Sequence, residues 1–311
     1  EAGHSAWLVG GCVRDAFMGI KANDCDIATS APWQETSSLF KKAGHNVVET
    51  GAKHGTVTVL VESVPLEVTT YRVDGVYSDA RHPDTVVFAD TIEDDLSRRD
   101  FRINAMAFHP SRGLLDPFGG LDDIRKRRLC AVGNPFDRLA EDPLRIMRGL
   151  RFAAKLGFSI EHRTKNAIRE NAPLLKSLSK ERVFAELCSL LCAPRASAVL
   201  LEYYDVLDVV VEGTSAMATQ PLNFRESTCS ILEHTAHVLD RTPAEPSLRL
   251  AALLRDRAKT PASLRSNDPK NHAKESALRA KSLLEELKAP RRLREKVCRI
   301  VIRHNEYVPP S

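Results

Sequence analysis

Short apolar and β-branched runs separated by turn residues dominate the chain up to about residue 135. Residues 6–9, 26–28, 57–61, 66–70 and 86–88 carry Val, Ile, Leu and Thr in the short clusters typical of strands. After Asp137 the period changes. Leu144, Met147, Leu150 and Ala154, then Ala167, Ile168, Leu174 and Leu175, recur at three- and four-residue steps, so helices are expected to the end of the chain. The pattern predicts an α+β protein, with an α/β head followed by an all-α remainder. The change of period places the end of the head near residue 136, and polar, Pro-bearing stretches at 215–226 and 260–271 are expected as loops or boundaries. No fixed-period repeat or low-complexity tract interrupts this order.

At 311 residues the chain exceeds one compact core, which agrees with several domains in series. A hydrophobic fraction of 43% with 28% charged residues is that of a globular protein, not of a disordered or fibrous one. The longest apolar runs, such as 57–61 and 248–254, fall far below the ~20 residues of a bilayer span, so no membrane role is expected. The seven cysteines are scattered without a Cys-x-x-Cys pair and read as reduced thiols, and no export signal opens the chain. A cytoplasmic location is expected, as is a missing N-terminus, because residue 1 lies only a few positions before an apolar strand. The net charge of +4 is a weak indication of a polyanionic partner.

The first chemistry lies in Leu8-Val9-Gly10-Gly11-Cys12-Val13-Arg14-Asp15, an apolar strand running through two glycines into a helix start. Glycines let backbone N–H groups approach a phosphate, and a helix N-terminus adds a favourable dipole. Asp24 and Asp26 stand at i and i+2, on one face of a strand. Two adjacent carboxylates repel unless a cation lies between them, and a divalent metal that also holds a triphosphate is the usual answer. An isolated Asp-x-Asp is more often a solvated surface pair, so a third acid matters. Glu67 lies among apolar and β-branched neighbours, where an unpaired carboxylate would be costly.

The spacing Gly10-Gly11-x-Val13-Arg14-Asp15, Gly19 and Asp24-x-Asp26-x-Ala28-Thr29 resembles the signature of class II tRNA nucleotidyltransferases and bacterial poly(A) polymerases, within the polymerase-β-like nucleotidyltransferase superfamily. The resemblance continues in order through Lys53-His54-Gly55-Thr56, Glu67-Val68-Thr69-Thr70-x-Arg72, Arg98-Arg99-Asp100-Phe101-x-Ile103-Asn104-Ala105-Met106, Asp116-Pro117-Phe118-Gly119-Gly120 and Glu141-Asp142-Pro143-x-Arg145-x-x-Arg148. It covers residues 7 to 190 or so. Arg102 is a departure, since the family commonly has Thr there.

The resemblance implies a small mixed-sheet nucleotidyltransferase head over 1–136, an all-α neck over 137–198 and an all-α body over 199–311; in the head Asp24 and Asp26 hold Mg²⁺, with Glu67 as the third catalytic carboxylate. It implies attack of an RNA 3′-hydroxyl on the α-phosphate of a nucleoside triphosphate, with pyrophosphate leaving. Gly10, Gly11 and Arg14 are then triphosphate-binding candidates, and Arg99, Asp100 and Asn104 lie near the ribose. Asp142, Arg145 and Arg148 fall at three-residue steps, which on a helix is a ridge of i,i+3 ion pairs worth only ~0.2–0.5 kcal/mol. The resemblance gives them a second role as a protein template for the incoming base. A carboxylate accepts from the exocyclic amine of cytosine or adenine and an Arg donates to the adjacent ring nitrogen, whereas uracil and guanine oppose a carbonyl to the carboxylate.

The expected activity is addition of CCA to tRNA from CTP and ATP, with poly(A) or A-adding activity, or a non-catalytic RNA-binding descendant, as alternatives. The segment 49–56 resembles the CCA-adding side, and 72–82 resembles the flexible loop of full CCA-adding enzymes. tRNA is the expected partner, with no protein partner. Downstream, Leu232-Glu233-His234-Thr235 and residues 249–256 resemble an HD phosphohydrolase-like region in which Arg255 occupies the His position, so hydrolase chemistry is expected to be lost although His234, Asp256, His272 and His304 remain. Arg291, Arg292, Arg294, Lys296, Arg299 and Arg303, and the cluster 125–128, are first of all solvated charge, and secondly candidate phosphate contacts.

Overall fold

The computed structural model describes residues 3–22, 24–73, 87–224, 227–259 and 269–306. The expected switching loop therefore lies, beyond Val73, outside the described residues, as do 225–226 and 260–268 of the expected loops. The chain divides into two compact units, Glu1–Asp142 with Ser159–Ala167, and Pro143–Phe158 with Ile168–Ser311. The helices expected as neck and body thus fall largely in one unit.

The first unit is built on β1 (Ala6–Val9), β2 (Asp26–Thr29), β3 (Asn46–Val48), β4 (Thr56–Val61), β5 (Val64–Thr70), β6 (Arg72–Val73), β7 (Val87–Phe88), β8 (Ala107–His109) and β9 (Gly113–Leu115). A seven-stranded sheet runs in the order β3, β4, β5, β2, β1, β8, β9. β2 and β5 are parallel, and the other neighbours are antiparallel. β6 and β7 form a separate antiparallel pair. The β4–β5 turn is two residues long, Glu62 and Ser63, and both take positive φ as a tight hairpin requires of its central positions.

Alternation along these strands gives the sheet its two apolar faces. Trp7, Val9, Ala28, Ala105 and Ala107 pack with Tyr71, Ile92 and Leu96 in one cluster, and Val57, Val59 and Val68 form another. Around the sheet lie α1 (Gly11–Phe17), α2 (Trp33–Lys42), α3 (Ile92–Ser97), α4 (Gly120–Arg125) and α5 (Pro135–Glu141). The Asp116…Gly120 motif is a helix start: Asp116 accepts from the N–H groups of Gly120 and Leu121 at 2.7 and 2.9 Å. A Cβ on Gly120 would stand 2.3 Å from the carbonyl oxygen of Arg102, so only glycine allows that close approach of two backbones.

The second unit opens with α6 (Leu144–Leu156), whose Leu144, Met147, Leu150 and Ala154 are buried at the predicted spacing, with Ile146 buried as well. It ends at Gly157, in the left-handed conformation favoured at helix C-termini. A short parallel pair, β10 (Arg128–Leu129) and β11 (Ser159–Ile160), belongs to the first unit. α7 (His162–Asn171), α8 (Lys180–Leu191), α9 (Ala196–Glu202), α10 (Tyr204–Leu207), α11 (Thr214–Thr219), α12 (Ile231–Arg241), α13 (Pro246–Leu254), α14 (Pro269–Glu286) and α15 (Arg291–Arg303) follow. The stretch expected as a loop near 215–226 instead holds α11 and the hairpin of β12 (Pro221–Phe224) and β13 (Ser227–Ser230). Ser230 then opens α12 with a reciprocal cap to Glu233. Among the described residues no single helix is long and apolar enough to cross a membrane.

Candidate active site

Parallel pairing of β2 with β5 makes Asp26 and Glu67 cross-strand partners. Asp24 is exposed and lies just before β2, so the two aspartates flank the strand's start rather than share a full strand face. Glu67 is exposed too. It carries no burial cost, and its relation to the site comes from register, not from apolar surroundings. Burial, then Asp24 and Glu67, push the Asp26 carboxyl above the usual carboxylate range, while Arg99 pulls the other way. Three hard oxygen donors whose charges oppose one another are a donor set suited to Mg²⁺-class cations. Between the aspartates, burial pushes the Cys25 thiol up to about 11, with further contributions from Cys12, Asp26 and Asp24. Cys25 is therefore protonated at neutral pH and is no nucleophile.

The glycine turn lies at the end of β1, beside these acids. Gly10 adopts φ 75° and ψ −131°, a conformation essentially reserved for glycine, and its N–H donates to the Met106 carbonyl at 3.2 Å. A Cβ there would sit 2.8 Å from Arg99 Nη1, so the turn and the guanidinium fit only because the side chain is absent. α1, which follows, has seven residues, and its dipole contributes correspondingly little.

Arg14, expected to hold triphosphate, is buried and already engaged. Its Nη1 donates to Asn104 Oδ1 at 2.6 Å, and its Nη2 pairs with Asp15 at 2.7 Å. Asn104 Nδ2 in turn donates to Asp100 Oδ1 at 3.1 Å, and that oxygen also accepts the Phe101 N–H at 2.8 Å. Arg98-Arg99-Asp100 is thus no solvated surface triplet: Asp100 is 7% exposed, and both arginines pair with Asp95, which is 1% exposed. Asp95 was not singled out from the sequence. Its spacing of three and four residues from Arg98 and Arg99 on a helix was the available signal. Arg102 donates to the Ala131 carbonyl at 3.3 Å.

Asp142 is not helical. It is the last residue of the first unit, extended at φ −137° and ψ 95°, between α5 and α6. The cause is local: Pro143 excludes the helical conformation from the residue before it. The expected ridge therefore begins at Arg145, which is 6% exposed on α6, and continues to Arg148, whose guanidinium stacks 5.5 Å from the Phe152 ring.

In the second unit the HD-like residues do assemble. Arg255 Nη2 lies 2.5 Å from His234 Nε2, and its Nε donates to Asp256 Oδ2 at 3.2 Å. Lys259 Nζ stands 2.8 Å from the other oxygen, with His304 and His272 Nε2 at 3.7 and 3.9 Å. Among the described residues, Asp256, His272 and His304 form one group able to hold a metal ion. Two fixed cations already occupy this carboxylate: burial pushes it up, but Lys259 and then Arg255 more than offset that and hold it below its usual range. The basic C-terminal helix is likewise largely matched by acids, through Arg291–Glu295, Arg294–Glu285 and Lys296–Glu245 at 2.8, 3.0 and 2.5 Å.

Residues 6–130 match the family described as "Poly A polymerase head domain", and residues 157–217 the one described as "Probable RNA and SrmB- binding site of polymerase A". The CCA-adding enzyme of Geobacillus kaustophilus is 45% identical over 198 residues, 64% of this chain and 48% of that protein. That of Streptococcus mutans is 48% identical over 193 residues, 62% of this chain and 47% of that protein. The chain spans about half the length of the curated relatives it matches. Among solved structures, the CCA-adding enzyme of Bacillus stearothermophilus in complex with CTP matches with a TM-score of 0.63 at 30% identity, covering 96% of this chain and 78% of that one. A tRNA nucleotidyltransferase complexed with a primer tRNA and an incoming ATP analog matches with a TM-score of 0.64 at 26% identity, covering 98% and 82%.

Proposed function

Since the chain belongs to the family of CCA-adding tRNA nucleotidyltransferases and poly(A) polymerases, we propose that it adds CCA to tRNA 3′ ends from CTP and ATP, with Mg²⁺, in the cytoplasm. The observation that carries this reading is the in-register approach of Asp26 and Glu67, with Asp24 beside them and the Gly10 turn at the end of the neighbouring strand. In the reaction a bond forms between the 3′-oxygen and the α-phosphorus, and the bond to the pyrophosphate oxygen breaks. Mg²⁺ bound by Asp24 and Asp26 would supply charge neutralisation at the phosphate and a lower pKa for the attacking hydroxyl. Glu67 adds a third negative charge that favours the cation.

Gly11 leaves room for phosphate oxygens at the turn, and Gly10 admits Arg99, which packs on it and provides the adjacent positive charge. Arg14 acts by holding Asn104, which with Asp100 presents amide and carboxylate groups suited to ribose hydroxyls. Asp142, Arg145 and Arg148 are proposed to read the base by the donor and acceptor pattern that cytosine and adenine share. Arg255 leaves the HD-like cluster without hydrolase activity in this reading.

The test uses purified protein, Mg²⁺ and tRNAs ending before CCA, after C, or after CC, each with one or more of the four nucleotides. Addition of CCA and no further residues, from CTP and ATP alone, is expected. Chelation of divalent ions, or replacement of both Asp24 and Asp26 by Ala, should lower the rate by about 10³-fold or more while tRNA binding persists. Long A tails would instead identify a poly(A) polymerase, and no addition would favour a non-catalytic RNA-binding protein.

A further inference from the structure

We infer that Asp95 is a positioning residue for nucleotide binding, acting through Arg99 on the Gly10 turn; this rests on the reading of that turn as the triphosphate site. Asp95 lies on α3, where Thr91 caps the helix and the neighbouring acids Glu93 and Asp94 face solvent. Asp95 alone of the three turns inward, to 1% exposure. A carboxylate at that depth is tolerated only when paired and hydrogen-bonded. Its Oδ1 accepts from Arg98 Nη2 at 2.8 Å and Nε at 3.2 Å, and from the backbone N–H of Arg72 at 3.4 Å. Its Oδ2 accepts from Arg99 Nη2 at 3.1 Å. Burial pushes the Asp95 carboxyl up, but Arg98 and Arg99 outweigh it, so the group is ionised.

The far side of Arg99 gives this ion pair its consequence. While Nη2 is held by Asp95, Nη1 reaches the Asn104 carbonyl at 3.4 Å and fills the space that a Gly10 side chain would take. The Arg99 Nε–H is buried with no hydrogen-bond partner among the described residues. The guanidinium is therefore held at Nη2 by the ion pair and at Nη1 by the longer contact to the Asn104 carbonyl, and its Nε–H is left uncommitted among the described residues. An arginine has several rotatable bonds, and without Asp95 only the longer 3.4 Å contact to the Asn104 carbonyl would hold the end of this one against the turn. Through the Arg72 amide the same carboxylate also fixes the start of β6, and Arg72 Nη1 donates to the His54 carbonyl at 2.7 Å, so the motif containing His54 is tied to the same anchor.

The experiment measures binding of ATP with Mg²⁺ by calorimetry, without tRNA, and separately KM and kcat for nucleotide addition. Asp95→Asn should weaken ATP binding and raise KM for CTP and ATP about tenfold, with kcat and tRNA affinity changed less than twofold. Asp95→Glu should recover part of the loss. Arg99→Lys should weaken binding similarly, and the Asp95→Asn, Arg99→Lys double variant should be no worse than Arg99→Lys alone, because both act through one contact. Additive losses, a loss confined to kcat or to tRNA binding, or no ATP binding by the unaltered protein would overturn the inference. Because the calorimetry needs no tRNA, it decides on Asp95 even if the unaltered protein adds nothing to tRNA. If Asp95→Asn does not fold, Arg99→Lys is compared with Arg98→Lys: weaker ATP binding in the first and not the second supports the inference, and equal effects overturn it.

Discussion

A methyl group at Gly10 would meet two penalties at once, a backbone conformation that L-residues rarely adopt and a contact with Arg99 Nη1. Gly10→Ala is therefore expected to destabilise the fold by about 1–3 kcal/mol and to cost far more in nucleotide addition, because the guanidinium must move. A thermal melt read beside the addition rate checks this, and near-normal activity would refute it. Motif and resemblance in the sequence single out Gly10, Asp26, Glu67, Asp100 and Asn104 as candidates. What they could not convey was which groups were already engaged. Arg14 is spent on Asp15 and Asn104, and Asp95 became visible only when helix α3 turned it inward. Register, not hydrophobic surroundings, ties Glu67 to Asp26.

Elements were legible where periodicity ran long. α6 keeps its apolar spacing over 13 residues and buries Met147 and Leu150 completely. Met147→Ala should accordingly cost about 2–5 kcal/mol, seen as a lower denaturation midpoint. The short strands β3, β8 and β9, each of three residues, carry too little pattern to be read before pairing supplies it. The 215–226 stretch, expected as a loop or boundary, holds regular elements for a related reason. Pro and polar residues signal a turn, but a hairpin and a six-residue helix satisfy their backbone groups just as well. Pro143 shows the opposite case, a single ring that moves Asp142 off the helix on which spacing alone would put it.

At the scale of the whole molecule, the second unit should be sensitive to acid. Burial first, and then the positive charges of Arg255 and Lys259 among other neighbours, lower the pKa values of His234, His272 and His304, with Asp256 opposing. A histidine with a depressed folded pKa binds fewer protons folded than unfolded, so its stabilising contribution is present above ~6.5 and is lost as pH falls below it. The melting temperature should drop by a few degrees between pH 7.5 and pH 5.5, and His304→Gln should flatten that dependence. An unchanged melt over this range would show that the three rings titrate alike in the folded and the unfolded protein.

The parallel pairing of β2 with β5 also bears on when the acids can meet during synthesis. Asp26 and Glu67 are distant in sequence, and their strands run the same way, so no tight hairpin can join them. Helix α2, strands β3 and β4 and their connections must all be laid down first, and the entropy of closing that long excursion is spent before the carboxylates gain one another. A nascent chain that has emerged only through β4 carries both aspartates without their partner strand. Such a fragment should hold divalent cations no better than a short acidic peptide, so the chemistry is withheld until the fold that contains it has closed.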